Sequence, residues 1–467
     1  MSSADFDRKS ASFLEWFNKL PGASFSDAIE IVDLRFRHAG RGIIATQDIP
    51  ADTEIVSIPR NAIISSETSE LKNILPALFE SHGDEDDEQA LDSWSALVLV
   101  MMYEFFLGDQ SKWKPYLDVL PDSFDTPMFW SDEELSHLQA SAVVNRIGKA
   151  SAEDMFRTRL IPAIRQNPDV FAASRDYGDH DLIKLAHRMG STVMAFAFDL
   201  ENDGAAADDD EADGWVEDQE GKSMMGMVAM ADMLNADAEF NAHVNHGDDE
   251  LTITTLRDVK AGDEILNCYG PHPNSELLRR YGYVTSQHSR YDVVEIPWEA
   301  VQDALMSELN VSREVLARAM EQIDPEDLED VFVLERESGE PNPDGTLDGV
   351  ARVEGMPADL KEQLKTVVKQ LQKMNQGLIP DKRKRNDVLQ SIVTGALRSI
   401  ASRYTTTVAE DQELLKRDDL PHRQRMAITV RLGEKLLMQE AFNQLSEAPA
   451  QSPETDPSAS KRARRGD

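Results

Sequence analysis

Two asparagines, three tyrosines and two closely spaced glycines are the residues of this chain best suited to hold and transform a ligand. Asn235 and Asn241 lie in a short polar stretch after the apolar run 227–230. An asparagine offers two donors and an acceptor, so it can orient a ligand or pin irregular backbone. Taken singly, such a residue is usually turn chemistry. Tyr269, Tyr281 and Tyr283 crowd around glycines at 270 and 282, and clustered aromatics more often build a core. Tyr269, however, ends the strand-like stretch 264–268 and precedes Gly270-Pro271, which predicts a strand end beside an exposed turn. There a phenol can wall a pocket with its ring and hydrogen-bond with its hydroxyl. Gly40 and Gly42, within residues 37–44, let backbone approach a ligand closely. Their spacing is too short for a phosphate cradle, and no helix follows to offer an N-terminus.

Metal chemistry finds little support. Asp199, Glu201, Asp203, Gly204 and Asp210 fall on calcium-loop positions, but the last is Asp rather than a bidentate Glu, and acidic loops match this pattern easily. The ten histidines show no ligand spacing, and His243 and His246 are expected to be solvated on a hairpin. The single cysteine, Cys268, cannot form an intramolecular disulfide or a cysteine-based zinc site. No metal is assigned.

The elements that must position these residues alternate between two kinds. Residues 10–20 have apolar side chains at helical spacing. Stretches 29–32, 41–45 and 54–59 predict a meander of short strands. From about 65 to 200 the pattern is helical, with 92–107 strongly apolar up to Gly108. Strands return at 226–232, 250–256, 264–269 and 290–296. Beyond Pro297 the periodicity predicts helices at 298–320, 325–337, 357–376, 383–403, 409–416 and 421–445, with 337–349 as a loop. Helix-period patterning is weak throughout 230–283. Acidic runs at 83–88 and 201–220 and the Ser/Pro/Ala-rich tail predict exposed or disordered segments. The basic run 382–385 is expected to be a solvated helix end.

The 467 residues suffice for two to three domains. A net charge of −38 opposes direct binding of nucleic acid and suits a basic partner whose association weakens with salt. The bland alternative is that acidic loops only confer solubility. No long apolar run predicts a membrane span, and the N-terminus lacks an apolar signal core, so an intracellular protein is expected. The tail's Lys461-Arg462-Ala463-Arg464-Arg465 suggests a nuclear-import address, giving nucleus as the expected site, with cytoplasm also open.

Three blocks in this order, 37–45, 233–242 (MLNADAEFNA) and 261–284, resemble the SET-domain protein methyltransferases. The layout over about 25–450 is similar to the Rubisco large-subunit lysine methyltransferase branch. The resemblance implies an α+β fold: a β-rich SET domain at 25–290 with a helical insertion at about 65–200 and an acidic loop at 201–220. An all-helical substrate-binding domain at 297–447 and a disordered basic tail at 448–467 would follow. It implies S-adenosyl-L-methionine as cofactor and a monomer acting on the lysine of a protein. Within the branch, the wording of the second block points to a basic ribosomal protein, with a histone or other nuclear protein next. Ala39, Gly40, Arg41 and Gly42 would touch the cofactor by backbone, joined by Asn235, Ala236 and Tyr269. Tyr269 would be the catalytic tyrosine, Tyr281 and Tyr283 would line the lysine channel, Trp94 would lie on the substrate side, and 194–198 would add backbone contacts to the cofactor. Ala236 stands where the family usually has His, which puts cofactor affinity at issue. A non-catalytic binding module and a histidine methyltransferase are the other readings that fit these motifs.

Overall fold

In the computed structural model, which describes residues 3–79, 90–200, 224–378 and 384–447, the strands do not form the expected meander. Ile29–Asp33 and Arg41–Ala45 make an antiparallel hairpin, with Ile29 opposite Ala45 and Asp33 opposite Arg41. Glu54–Pro59 instead joins a second sheet, between Ser24–Phe25 and Glu250–Thr255, and Ala242–His246 completes it. The long-range partner wins because Ile55, Val56 and Ile58 are all buried and need cover that the adjacent hairpin does not supply. His243 is exposed, whereas His246 is half-buried beside Phe198.

The chain divides into two compact units. The first comprises Met1–Glu133, Asn145–Ser289 and Gly339–Gly349; the second comprises Glu134–Val144, Arg290–Ser338 and Val350–Asp467. The loop 337–349 is therefore not merely a spacer. Phe240 donates its amide to the Gly345 carbonyl, and Arg257 hydrogen-bonds the carbonyls of Phe240 and Asp344. The core of the first unit gathers Phe13, Phe17, Ile43, Trp113 and Tyr116 around the helix Ser93–Leu107. That helix is apolar on all sides, as burial on all sides requires, and Asp92 caps it through the Ser95 amide.

The second unit holds the helices Trp298–Leu309, Arg313–Met320, Ala358–Met374, Arg385–Ala401, Val408–Leu415 and His422–Glu447. It is not all-helical. Where a helix was expected at 325–337, Val331–Leu334 is a strand paired antiparallel with Val294–Pro297. Its run VFVL is apolar throughout, but its burial alternates in the structure: Phe332 and Leu334 are buried while Val331 is exposed, the period of two of a strand.

Near the tyrosines the correction runs the other way. Asn274–Tyr281 is a helix, and the expected strand at 264–269 contracts to Leu266–Asn267. The acidic segments at 83–88 and 201–220, most of the calcium-like pattern, residues 382–383 and the tail 448–467 lie outside the described residues. Among the described residues no helix is long and apolar enough to cross a membrane, and no group of three or more His, Cys, Asp or Glu is placed to hold a metal ion.

Candidate functional site

The loop between the hairpin strands folds back on itself. Leu34 donates its amide to the Gly40 carbonyl at 2.8 Å, and Ala39 donates to Leu34 at 3.2 Å. His38 and Gly40 take left-handed backbone, with φ of 60° and 66°. Residues Ala39–Gly42 thus present backbone on a tight, fixed turn. The Arg41 side chain points elsewhere: it stacks over Phe6 at 4.1 Å and hydrogen-bonds Ser10 and the Val119 carbonyl. Its own carbonyl is what enters the site.

Asn235 Nδ2 donates to that carbonyl at 3.1 Å and to Glu264 Oε1 at 2.7 Å. Glu264 Oε2 in turn accepts from Arg37 at 2.6 Å. The packing leaves no space for a side chain at Gly42: a Cβ there would stand 2.4 Å from Leu34 Cδ1 and 2.9 Å from both Asn235 Nδ2 and Glu264 Oε1. With both N–H groups of Asn235 engaged, Oδ1 faces away from them, and no described residue donates to it. Asn241 differs. Its Oδ1 accepts from the Leu266 amide and its Nδ2 donates to the Glu264 carbonyl, both at 2.8 Å. It pins two backbone segments to each other, and its side chain is buried.

Two-residue strands Asn235–Ala236 and Leu266–Asn267 pair in parallel, which brings Tyr269 beside the asparagine. Tyr269 donates its hydroxyl to the Leu234 carbonyl at 2.7 Å, and Tyr283 reaches the Ala236 carbonyl at 3.4 Å. The carbonyls on either side of Asn235 are therefore each met by a tyrosine. Ring centroids of Tyr269 and Tyr281 lie 4.7 Å apart, and those of Tyr281 and Tyr283 6.2 Å apart. Each residue is half-buried overall, and burial pushes all three phenols above their usual pKa, Tyr269 and Tyr283 far above it.

The helix Asn274–Tyr281 sets this aromatic wall. Its Glu276 carboxyl is buried, which would raise its pKa, yet Arg279 and Arg280 bind it and hold it down to about 2. Gly282 ends the helix with φ 78°, donating to the carbonyls of Leu277 and Leu278. A Cβ on Gly282 would lie 3.1 Å from the backbone of Asp125 and Thr126. Glycine here thus permits the sharp reversal that sets Tyr283 beside Tyr281.

Trp94 stacks its ring on Phe156 at 6.1 Å and presses on Gly190 in the helix Asp179–Phe196. Ser191 and Met194 of that helix line a small cleft with Thr126 and Arg279. Three features escaped sequence reasoning. Asp232 is buried and accepts the Tyr116 hydroxyl at 2.5 Å; burial pushes its pKa up to about 7, against the lowering effect of that hydrogen bond. Glu264 joins Arg37 to Asn235. Asp237 accepts from Thr285 at 2.9 Å and from the Ala238 amide at 2.8 Å, and it lies 3.3 Å from His288. All three depend on partners distant in sequence, so no local pattern signals them.

Residues 40–270 match the family model described as SET domain, and residues 311–437 match the one described as Rubisco LSMT substrate-binding. The Saccharomyces cerevisiae ribosomal lysine N-methyltransferase 4 is 34% identical over 323 residues, covering 68% of this chain and 64% of the relative. The Xenopus laevis N-lysine methyltransferase setd6 is 31% identical over 247 residues, covering 52% and 50%. The chain thus spans between half and two thirds of these relatives' lengths. A solved structure of Rubisco LSMT bound to sinefungin and monomethyllysine aligns with a TM-score of 0.62 at 18% identity, covering 96% of this chain and 92% of that one. At that identity the likeness establishes the fold.

Proposed function

The chain belongs to the SET-domain family, with a Rubisco LSMT-type substrate-binding domain, and on that premise we propose that it is an S-adenosylmethionine-dependent protein-lysine N-methyltransferase acting on a basic ribosomal protein. One observation carries the reading: Asn235, with an acceptor that no described residue uses, sits between two carbonyls met by Tyr269 and Tyr283. A ligand cradle and an aromatic channel thereby share the segment 234–236. The ribosomal substrate is drawn from the yeast relative's name, and the net charge of −38 suits a basic target.

The residues fit the cofactor. Asn235 Oδ1 and the backbone of Ala39–Gly42 would hold its amino-acid end, and Gly42, by lacking a Cβ, lets Asn235 and Glu264 pack directly on the hairpin. Ala236 replaces the usual His, but the backbone there remains fixed by pairing with Asn267. When bound, S-adenosylmethionine supplies a methyl group activated by a sulfonium.

A free lysine amine has a pKa of about 10.4, so the site must favour the neutral, nucleophilic form. Tyr269 cannot take the proton as a phenolate base, because burial keeps it protonated and its hydrogen is donated to Leu234. Its work is to fix the loop beside Asn235 and wall the reacting centre. Tyr281 and Tyr283 exclude water, which disfavours an ammonium and aids proton loss before attack. Holding amine and methyl in line contributes several kcal/mol, on the order of what oriented intramolecular reactions gain.

The test is to incubate the full chain with labelled S-adenosylmethionine and isolated ribosomal proteins, then locate the label by mass spectrometry. Label on a lysine, lost when that lysine is replaced by Arg, supports the reading. Label on histidine, or cofactor-independent binding without transfer, contradicts it.

A further inference from the structure

We propose that Glu264 is a positioning residue for the cofactor: its carboxylate locks the Asn235 amide in the orientation that turns Oδ1 toward the ligand, and couples that orientation to Arg37 on the hairpin turn. The inference deepens the proposed function and rests on it.

An asparagine amide can invert about its terminal bond, exchanging its oxygen for its nitrogen. At Asn235 the two groups facing Nδ2 are both acceptors, the Arg41 carbonyl at 3.1 Å and Glu264 Oε1 at 2.7 Å. Inversion would press an oxygen against both of them, including a charged one, so one orientation is enforced. The shorter of the two bonds is the one to the carboxylate. Without Glu264, the Arg41 carbonyl is left as the sole restraint.

The carboxylate is itself held. Arg37 binds Oε2 at 2.6 Å, and only 15% of the Glu264 side chain is exposed. Its backbone is fixed independently, bridged to Ile44 and receiving the Asn241 amide at its carbonyl. Truncating the side chain therefore removes the lock while leaving the segment in place. Arg37 is half-exposed on the turn that carries Ala39–Gly42, so the same ion pair joins the two halves of the cradle.

The experiment is a double-mutant cycle on the full chain, with S-adenosylmethionine as the titrant in calorimetry and steady-state kinetics alongside. Glu264→Ala should weaken cofactor binding on the order of tenfold to a hundredfold, as loss of a charged hydrogen bond does. The rise should appear in KM for S-adenosylmethionine, with KM for the protein substrate unchanged. Glu264→Gln, which retains an acceptor for Nδ2, should recover much of the affinity. Asn235→Ala combined with Glu264→Ala should lose clearly less than the sum of the two single losses, because Glu264 acts chiefly through that amide. Unchanged affinity in Glu264→Ala, or additive losses in the double variant, would overturn the proposal. A wild-type chain that does not bind S-adenosylmethionine would overturn it together with the methyltransferase reading.

Discussion

Tyr269 and Tyr283 look alike in sequence but are held differently, and their removal should have different consequences. The Tyr269 hydroxyl makes a 2.7 Å bond to the Leu234 carbonyl. Tyr269→Phe leaves that carbonyl without its partner and loosens the loop beside Asn235. Turnover should fall on the order of a hundredfold or more, as small misplacements of reacting groups do, while cofactor binding persists. The Tyr283 contact, at 3.4 Å, is marginal. Tyr283→Phe should therefore preserve the fold, widen the channel and shift the product toward higher methylation, read by mass spectrometry. Asp232 makes a pH prediction. Its folded pKa, about 7, exceeds the ordinary aspartate value. Its contribution to stability is thus full below about pH 4, declines as pH rises toward 7, and is lost above that. Asp232→Asn keeps an acceptor for Tyr116 but carries no charge. Relative to wild type it should gain stability on the order of a few kcal/mol between pH 4 and 8. Thermal melts across that range with parallel profiles would refute the assignment. Sequence alone marked the tyrosines and Asn235. Residue type alone could not separate Asn235 from Asn241; the resemblance assigned the cofactor to Asn235, and the fold shows that Asn241 spends its amide on two backbone groups.

The site is precise because short elements are pinned at their ends. Gly42 lies where the hairpin, Asn235 and Glu264 converge, with no space for a Cβ. Gly42→Ala should weaken S-adenosylmethionine binding by more than tenfold, roughly the effect of losing 1.4 kcal/mol, measured by calorimetry on protein that keeps its circular-dichroism spectrum. The helix Asn274–Tyr281 was illegible in sequence because it has two turns, follows a Gly-Pro turn and sits among residues read as loop and core. Its geometry depends on Glu276 between two arginines and on Gly282 against Asp125 and Thr126. The long helices were legible for different reasons: Ser93–Leu107 as a long apolar run ending at Gly108, buried on all sides, and Asp179–Phe196 through the helical period of its one buried face. Val331–Leu334 was misread because a short apolar run fits either period until a partner strand, here Val294–Pro297, is known.

At the scale of the whole chain, charge and domain order were legible but chain return was not. Residues 339–349 rejoin the first unit through Phe240 and Arg257, a connection with no local signature. If the substrate is the proposed basic ribosomal protein, the net charge of −38 should make that association salt-dependent. KM for that substrate should rise severalfold between about 0.05 and 0.3 M salt, because screening shortens the reach of the field. KM for S-adenosylmethionine, held by local contacts, should change little. The most direct measurement is transfer of labelled methyl from S-adenosylmethionine to isolated ribosomal proteins by the wild-type chain and by Tyr269→Phe, with the modified residue located by mass spectrometry. Label on a specific lysine in the first case and its near-absence in the second is the predicted result. Absence of lysine label with the wild-type chain, or equal labelling by both proteins, would contradict the account.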